Sequence, residues 1–377
     1  MLSPSDVPLP GVLDPRVPAD HAALRLWLGV QRRLALRPME AIAALREDPD
    51  PEPLLALARG LPCTPTDLDA ALRSLAQSGG RLVPWVSPVY PPQLRRFVDA
   101  APVLAVRGDA SALQVPCVAI VGARAATAYG KEMARRISGD LARAGVVVAS
   151  GLARGIDAVA HIAALDAGGR TLAFQACGPD QVYPAAHRGL ADRIARQGAV
   201  VSELPPGMPP LKAHFPLRNR LISGVSRAVV VVEARARSGS LVTARHALDQ
   251  GIDVLAVPGP VTAPTSEGTN GLLRDGAAPA MEAADVLSVI GVEARVEADA
   301  PEPSREEGTA GDAGRILAAL HHGACTRDEL GRRLALDPGA LAVAILPLEL
   351  DGRVVEDRDG RLRVVRAAPG RGLSSAP

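Results

Sequence analysis

The sequence predicts an α/β protein built on a doubly wound, largely parallel β-sheet, with a small helical domain before the sheet and a winged helix after it. Strands that are apolar on both faces are typical of a parallel sheet covered by helices on both sides. Six apolar runs have this character, and each is separated from the next by enough chain for a helical crossover. They lie at 117–121, 146–149, 171–176, 199–202, 228–232 and 252–257.

Changes in composition divide the chain around this sheet. Residues 86–109 form a connector into the α/β domain, and residues 292–310 hold six acids and two prolines, a composition typical of an exposed linker. The predicted parts are a disordered segment at 1–18, a helical domain at 19–82, the α/β domain at 83–291, the acidic linker at 292–310, a winged helix at 311–367 and a disordered tail at 368–377.

The composition indicates a globular intracellular protein. Of the 377 residues, 47% are hydrophobic and 22% are charged, with a formal net charge of +1, so a polyanion would have to bind a local basic patch. The four cysteines form no CxxC or Cys/His pair, so we expect a reducing cytosol, no metal and no cofactor. The N-terminus has no signal-peptide pattern, and no apolar run approaches the ~20 residues that a membrane helix needs.

The helical domain and the winged helix are both predicted from apolar periodicity. Charges of both signs in the first favour packing or partner contact over direct binding of nucleic acid. In the second, the third helix would normally enter the DNA major groove, but 334–352 holds no Lys or Arg, so we do not expect tight binding of duplex DNA. In the helical domain, the predicted helices lie at Leu24 to Leu28, 38–46, 52–59 and Thr66 to Ser78. In the winged helix, the predicted elements are a helix with Ile316, Leu317 and Leu320, a helix capped by Thr326 and Glu329, a helix at Pro338 to Leu350 and a hairpin around Asp359 and Gly360.

The turn after the first parallel strand is predicted to bind an anion. The strand stops at Gly122, and a helical pattern follows Gly130. Backbone N–H groups at the helix start favour an anion, and Arg124 and the hydroxyl of Thr127 add a charge and a donor. An ordinary turn with a solvated arginine is the alternative.

The loop after the second strand reads S-G-L-A-R-G-I-D, from Ser150 to Asp157. Two glycines, Gly151 and Gly155, allow a phosphate to approach closely, and Arg154 adds charge. Asp157 and His161 lie four residues apart, as an acid/base pair could. We favour instead a helix-start carboxylate and a histidine that holds the loop, because no nucleophile or metal ligand lies nearby in sequence.

The densest basic stretch, K-A-H-F-P-L-R-N-R, runs from Lys212 to Arg220 and contains Phe215. Single-stranded nucleic acid requires positive charge for its phosphate backbone and a flat ring on which an unpaired base can stack, and this stretch offers both. The alternative is an ordinary helix start with the ring of Phe215 turned inward. Ser238, Gly239 and Ser240 supply a second anion site at another helix start, and the turn at 258–260 closes the same edge. The chain has no GxGxxG or GxxxxGK[ST] motif, which argues against a dinucleotide oxidoreductase or a P-loop enzyme.

Together these motifs resemble the DNA-processing protein A family, DprA/Smf. They include Y-P-P-Q-L, G-x-R-x-x-T-x-Y-G, S-G-L-A-R-G-I-D-A-V-A-H, S-E-L-P-P-G, F-P-L-R-N-R-L-I-S-G, S-G-S-L-V-T-A and A-V-P-G, in one order between Tyr90 and Leu287. The resemblance implies an extended Rossmann-like domain, an N-terminal sterile-alpha-motif-like domain, a C-terminal winged helix and a homodimer. It also implies cytoplasmic binding of incoming single-stranded DNA and loading of the RecA recombinase during natural transformation.

The resemblance also implies which residues bind DNA. Ala123 stands where the family commonly has serine, and His187 stands where asparagine is usual. Carried over residue by residue, the resemblance implies DNA-binding residues at Gly122, Arg124, Thr127, Ser150, Gly151, Arg154, Gly155, Lys212, Phe215, Arg218, Asn219 and Arg220. The anion site at Ser238, Gly239 and Ser240 completes the predicted DNA-binding set.

The leading prediction is a protein that binds single-stranded DNA and has no catalytic residues. Two other classes of function are alternatives to it. A nucleoside-monophosphate phosphoribohydrolase would share the broad architecture, but its P-G-G-x-G-T-x-x-E loop is replaced here by R-S-G-S-L-V-T-A. A regulator that grips duplex DNA through the winged helix is weakened by the neutral third helix.

Overall fold

The structure is a computed structural model, and it describes residues 10–35, 37–57, 64–292, 312–321, 325–350, 353–357 and 360–364. The chain forms two compact units, residues 1–295 and 296–377. The predicted linker from residue 293 onward, the predicted tail at 368–377 and the first nine residues of the predicted N-terminal segment lie outside the described residues.

The first unit is built on one nine-stranded sheet with the order β1-β2-β6-β5-β4-β3-β7-β8-β9. The strands β3 to β9 pair in parallel with one another, whereas β2 is antiparallel to both β1 and β6. The six predicted apolar runs are confirmed as β3 to β8. The strands are β1 Gly80–Pro84, β2 Val103–Gly108, β3 Cys117–Val121, β4 Val147–Ser150, β5 Thr171–Phe174, β6 Ala199–Ser202, β7 Ala228–Val231, β8 Asp253–Ala256 and β9 Ala278–Pro279.

Helices cover both faces of this sheet, which explains why its central strands are apolar without alternation. In β3, Ala119 belongs to the hydrophobic cluster on one face and Ile120 to the cluster on the other. No helix among the described residues is long and apolar enough to cross a membrane. The helices are α1 His21–Leu34, α2 Pro38–Glu47, α3 Pro51–Leu57, α4 Pro65–Gln77, α5 Pro92–Arg95, α6 Ala128–Arg143, α7 Ile156–Asp166, α8 Arg188–Gln197, α9 His214–Val225, α10 Gly239–Asp249, α11 Glu267–Arg274 and α12 Ala283–Val289.

The N-terminal helices pack onto the sheet instead of forming a core of their own. Leu24 of α1 and Leu104 of β2 belong to one continuous hydrophobic cluster, and β1 crosses the predicted domain boundary at residue 82. The prediction of disorder is wrong for residues 10–18, because Leu13 pairs with Leu82 through two backbone hydrogen bonds.

The second unit is a winged helix, as predicted. Its core includes Ile316, Leu330, Ile345 and Leu362, and Thr326 forms the predicted capping box with Glu329. The outer face of the third helix is apolar: Val343 is 75% exposed and Leu346 is 55% exposed. The elements are α13 Asp312–His321, β10 Cys325–Thr326, α14 Arg327–Leu334, α15 Pro338–Leu350, β11 Val354–Glu356 and β12 Arg361–Val364.

Candidate nucleic-acid interface

A groove of about 410 Å³ lies at the carboxyl edge of the sheet, where β3, β4 and β7 end. Loops that are far apart in sequence meet here because the carboxyl ends of neighbouring parallel strands share one edge. We call this cavity the rim groove. It is lined by the turn after β3, the loop after β4 and the first turns of α9 and α10, and its walls include eight predicted site residues: Gly122, Arg124, Phe215, Arg218, Asn219, Ser238, Gly239 and Ser240.

A cation and an aromatic ring stand side by side in the rim groove. The guanidinium carbon of Arg124 lies 5.5 Å from the ring centre of Phe215. The ring of Tyr183 meets Phe215 edge-on, with 5.6 Å between the ring centres. Arg124 is exposed and Phe215 is half-buried, so the ring is neither solvated on all sides nor part of the core. This arrangement places positive charge next to a flat apolar surface.

The hydroxyl of Thr127 supports the turn after β3 and lies outside the rim groove. Thr127 caps α6: its Oγ1 accepts from the Gly130 N–H at 3.1 Å, and its own N–H donates to Oε2 of Glu233 at 2.9 Å. A Cβ atom at Gly130 would collide with that same carboxyl oxygen. Thr127 and Glu233 therefore fix the direction in which α6 leaves the turn.

The loop after β4 is held by Asp157, and the prediction that His161 holds it is wrong. Oδ2 of Asp157 accepts from the N–H groups of Gly151 at 3.1 Å and Ala153 at 3.3 Å. His161 instead donates from Nδ1 to the hydroxyl of Thr171 at 2.7 Å, because that hydroxyl already donates to a strand carbonyl. The loop therefore depends on a buried carboxylate at the start of α7.

Three further predicted residues of this loop shape the backbone. The hydroxyl of Ser150 is buried and donates to the Ile120 carbonyl at 2.6 Å. Gly155 has φ +78°, and a Cβ atom there would collide with the carbonyl oxygen of Ala123. Gly151 leaves room for the side chain of Arg218. These residues hold the two loops together, whereas Arg154 is exposed and lies outside the rim groove.

His187, which sequence reasoning treated only as a departure from the family pattern, also contacts this loop. Its Nδ1 lies 2.9 Å from the carbonyl oxygen of Leu152, and a carbonyl can only accept. Leu152 has φ +57°, an uncommon value for a branched residue. The histidine therefore helps to hold a strained backbone position. Neither its contact nor that of Tyr183 could be located from sequence spacing.

Arg218 places a buried positive charge under the groove. Its Nη1 donates to the carbonyls of Gly151 and Phe174, both at 2.6 Å. Burial lowers the pKa of Arg218 to about 10, so the guanidinium stays charged at neutral pH. Burial raises the pKa of Asp157, an effect partly offset by the charge of Arg218. Burial and the same charge lower the pKa of His161 to about 3, which keeps that ring neutral.

The structure places Arg220 away from the rim groove. Its guanidinium is buried, and Nη2 lies 2.5 Å from Oε2 of Glu203, which is buried too. A charge that is neutralised by a buried carboxylate outside the groove is not available to a ligand, so we correct the predicted role of Arg220 in binding to a structural one. Lys212 is exposed just before α9 but is not part of the groove wall.

The start of α10 forms the wall opposite the turn after β3. Ser238 caps this helix by accepting from the Ser240 N–H at 3.3 Å, and the two hydroxyls lie 2.7 Å apart. The amide of Asn219 reaches the Gly239 carbonyl at 3.4 Å. The predicted hydroxyl-rich helix start is thus in the groove, where unpaired N–H groups favour negative charge.

A second cavity, of about 630 Å³, lies beside the same turn, against the ends of β7 and β8. We call it the Glu233 pocket, after the acid that follows β7. The turn at 258–260, which was predicted to close the same rim, lines this cavity together with Thr127 and Tyr129. The acidic residue that directly follows the apolar run at 228–232 is a signal in the sequence that could have pointed to this pocket.

Comparison with known proteins identifies relatives along most of the chain. Residues 81–291 match the family described as DNA recombination-mediator protein A, and residues 300–360 match the DprA winged helix domain. Protein Smf of Escherichia coli is 39% identical over 80% of this chain and 82% of its own length. DNA processing protein DprA of Bacillus subtilis is 40% identical over 58% of this chain and 74% of its own.

Two solved structures share the fold. DNA processing protein A of Streptococcus pneumoniae matches with a TM-score of 0.61 and 34% identity, covering 71% of this chain and 96% of its own. DNA processing protein A of Helicobacter pylori, whose structure describes a single-stranded DNA binding mode, matches with a TM-score of 0.50 and 30% identity. That match covers 53% of this chain and 92% of the Helicobacter protein.

Proposed function

The chain belongs to the DNA recombination-mediator protein A family, and we propose that it binds single-stranded DNA in the rim groove and acts by binding instead of catalysis. The observation that carries the proposal is the guanidinium of Arg124 at 5.5 Å from the ring centre of Phe215, at the mouth of a groove with a charged floor. Charge beside a flat ring suits a phosphate and the adjacent unpaired base.

Single-stranded DNA fits this arrangement better than duplex DNA. Bases in a duplex are stacked on one another, so their faces cannot reach a ring such as Phe215. The anion-binding groups, Arg124, Arg218 and the start of α10, lie along an open groove, which suits a run of phosphates. A relative of known structure is described as binding single-stranded DNA, which supports the same reading.

The hydrogen bonds of the two titratable groups, Asp157 and His161, support the absence of catalysis. The carboxylate of Asp157 accepts from two loop amides, and the buried ring of His161 is neutral and bonded to Thr171. Both groups are committed to holding the structure. We therefore assign no acid/base role to this pair, which the sequence left open.

The wider role is part of the same proposal. The protein protects incoming single-stranded DNA in the cytoplasm and loads the RecA recombinase on it during natural transformation and recombination. It does so as a homodimer formed through the α/β domain. The family's description as a recombination mediator and the names of the relatives as DNA processing proteins support this role.

The test compares two arginines that the sequence did not distinguish. Arg124→Ala should weaken binding of single-stranded DNA by about ten- to a hundredfold, because a charged donor is lost, while the melting temperature stays unchanged. The slope of log affinity against log salt should become shallower by about one contact. Arg220→Ala should instead destabilise the fold by roughly 3 to 5 kcal/mol, because it leaves Glu203 buried and unpaired.

Arg136→Ala, which removes an exposed arginine of α6 outside the groove, is the matched control and should change neither property. The measurements are a salt titration of binding to a fluorescent oligonucleotide and a thermal melt of each variant. Unchanged affinity and an unchanged salt slope in Arg124→Ala would contradict the proposal.

A further inference from the structure

The Glu233 pocket has walls that suit a flat, largely apolar body. Its volume is about 630 Å³, and its lining includes the ring of Tyr129, Val257, Pro258, Pro260 and Ala263. The hydroxyl of Tyr129 donates to the Pro258 carbonyl at 2.8 Å, which fixes the ring at the mouth. Among the residues that the structure describes, this lining contains no arginine or lysine, unlike the lining of the rim groove.

One polar group in this lining lacks a partner. Glu233 is 3% exposed, and its Oε2 accepts from the Thr127 N–H. Its Oε1 is buried and has no hydrogen-bond partner among the residues that the structure describes. A buried acceptor without a donor is unfavourable, so the site is suited to a ligand that brings its own N–H group.

The chemistry of the pocket selects a nucleobase over a phosphate. A carboxyl group repels a phosphate, but it accepts well from an exocyclic amino group, such as N4 of cytosine. Uracil and thymine carry a carbonyl oxygen at the corresponding position. We propose that the Glu233 pocket binds one base of the DNA strand held in the rim groove and prefers a base with an exocyclic amino group.

The two cavities are placed so that one strand can reach both. Gly122 and Arg124 line the rim groove, and Thr127, three residues after Arg124, lines the Glu233 pocket. A single turn therefore separates the cation that would hold a phosphate from the pocket that would hold a base. This inference rests on the proposed binding of single-stranded DNA and adds a base preference to it.

The experiment compares oligo(dC) and oligo(dU) of equal length on the full chain. Cytosine and uracil have rings of equal size, but cytosine carries an amino group where uracil carries a carbonyl oxygen. The wild-type protein should bind oligo(dC) on the order of fivefold more tightly, and Glu233→Gln should bring the two affinities together, because an amide N–H₂ suits a carbonyl oxygen. Affinity of this variant for oligo(dU) should be at least that of the wild type, because the amide can donate to the carbonyl oxygen.

Two further variants make the result specific. Glu267→Gln makes the same charge change at an exposed position of α11 and should keep the preference. Ala263→Leu fills the pocket without altering Glu233 and should remove the preference, which guards against a folding defect in Glu233→Gln.

The outcomes separate this inference from the proposed function. Equal wild-type affinities for oligo(dC) and oligo(dU), or a preference kept in both pocket variants, would overturn only the base preference. A preference for free dCMP over dUMP without one between the oligonucleotides would assign the pocket to a free nucleotide and would also overturn it. Failure of the wild-type protein to bind either oligonucleotide would overturn both proposals.

Discussion

Arg218 and Arg220 lie two residues apart on α9, and a helix with 3.6 residues per turn directs such side chains about 200° apart. The sequence presents them as one basic stretch, yet both cannot face the same groove. Arg218 lies under the groove, and Arg220 reaches Glu203 in the interior. Helical geometry could have separated the two roles from sequence, but which of them faces the ligand depends on how α9 packs on the sheet.

Phe215 shows a similar limit to what can be predicted from sequence, here for one side chain. Proline is common at the first position of a helix, so Pro216 alone would favour a helix start directly after Phe215. In the structure α9 begins at His214, and Pro216 occupies its first turn, where proline is tolerated. The predicted position in the groove still follows, because the first turn of α9 opens onto the rim. The neighbouring rings and cation could not be predicted, since Tyr183 and Arg124 come from distant loops.

The role of Phe215 can be tested by removing its ring. Phe215→Ala should reduce binding of single-stranded DNA by roughly 1 to 3 kcal/mol without changing the salt slope, because stacking releases no counterions. Phe215→Tyr keeps the ring and should keep the affinity. Fluorescence titrations at several salt concentrations measure both effects. Normal affinity together with a melting temperature several degrees lower would show that the ring stabilises the core.

At the scale of elements, the parallel strands β3 to β8 of the nine-stranded sheet were predictable, and its antiparallel strands β1 and β2 were not. β3 to β8 are apolar runs next to glycine-rich turns, so local pattern defines them. β2 was taken for part of a connector, because its partner β6 begins about ninety residues later and pairing at that distance leaves no local signal. The capping box at Thr326 was predictable because its two partners, Thr326 and Glu329, lie only three positions apart in sequence.

The contact between the two loops at the rim can be tested at Gly155. Gly155→Ala should destabilise the protein by more than the ~1 to 2 kcal/mol expected for a left-handed helical residue. Its φ of 78° with ψ of −127° is a conformation open essentially only to glycine, and the new Cβ atom would also collide with the Ala123 carbonyl. Affinity for single-stranded DNA should fall as the turn after β3 moves away from the loop after β4. Melting temperature and DNA binding are the measurements.

Gly168 provides the matched control for this prediction. It has φ +77°, nearly the φ at Gly155, but no atom in the part of the chain that the structure describes lies within 4 Å of a Cβ atom placed there. Gly168→Ala should therefore show only the strain of its own positive φ and keep full DNA affinity. Equal effects of the two substitutions on both measurements would mean that the loop contact has no part in binding.

At the scale of the whole molecule, strand order turns scattered motifs into one site. Residues from 122 to 243 reach the rim groove because β4, β3 and β7 are neighbours in the sheet. The rule that loops meet at the carboxyl edge predicted this assembly from sequence. It could not predict that the turn after β3 separates two cavities, because that depends on how closely Glu233 approaches Thr127.

The last prediction concerns the winged helix. Deleting residues 311–377 should leave binding of single-stranded DNA within a few-fold of the full chain, because α15 carries no Lys or Arg and exposes Val343 and Leu346 instead. Phosphate contacts dominate affinity for nucleic acid, and an apolar helix face supplies none.

The measurement is the slope of log affinity against log salt for the full chain and for the chain without residues 311–377. These two slopes show which unit makes the phosphate contacts. Equal slopes, with affinities within a few-fold, would place the phosphate contacts in the α/β unit. A loss of more than about tenfold, together with a shallower slope, would contradict the prediction and assign phosphate contacts to the wing, whose strand β12 carries Arg361 and Arg363. A melt of the shortened chain serves as the folding control, since residues 1–295 form a compact unit with its own core.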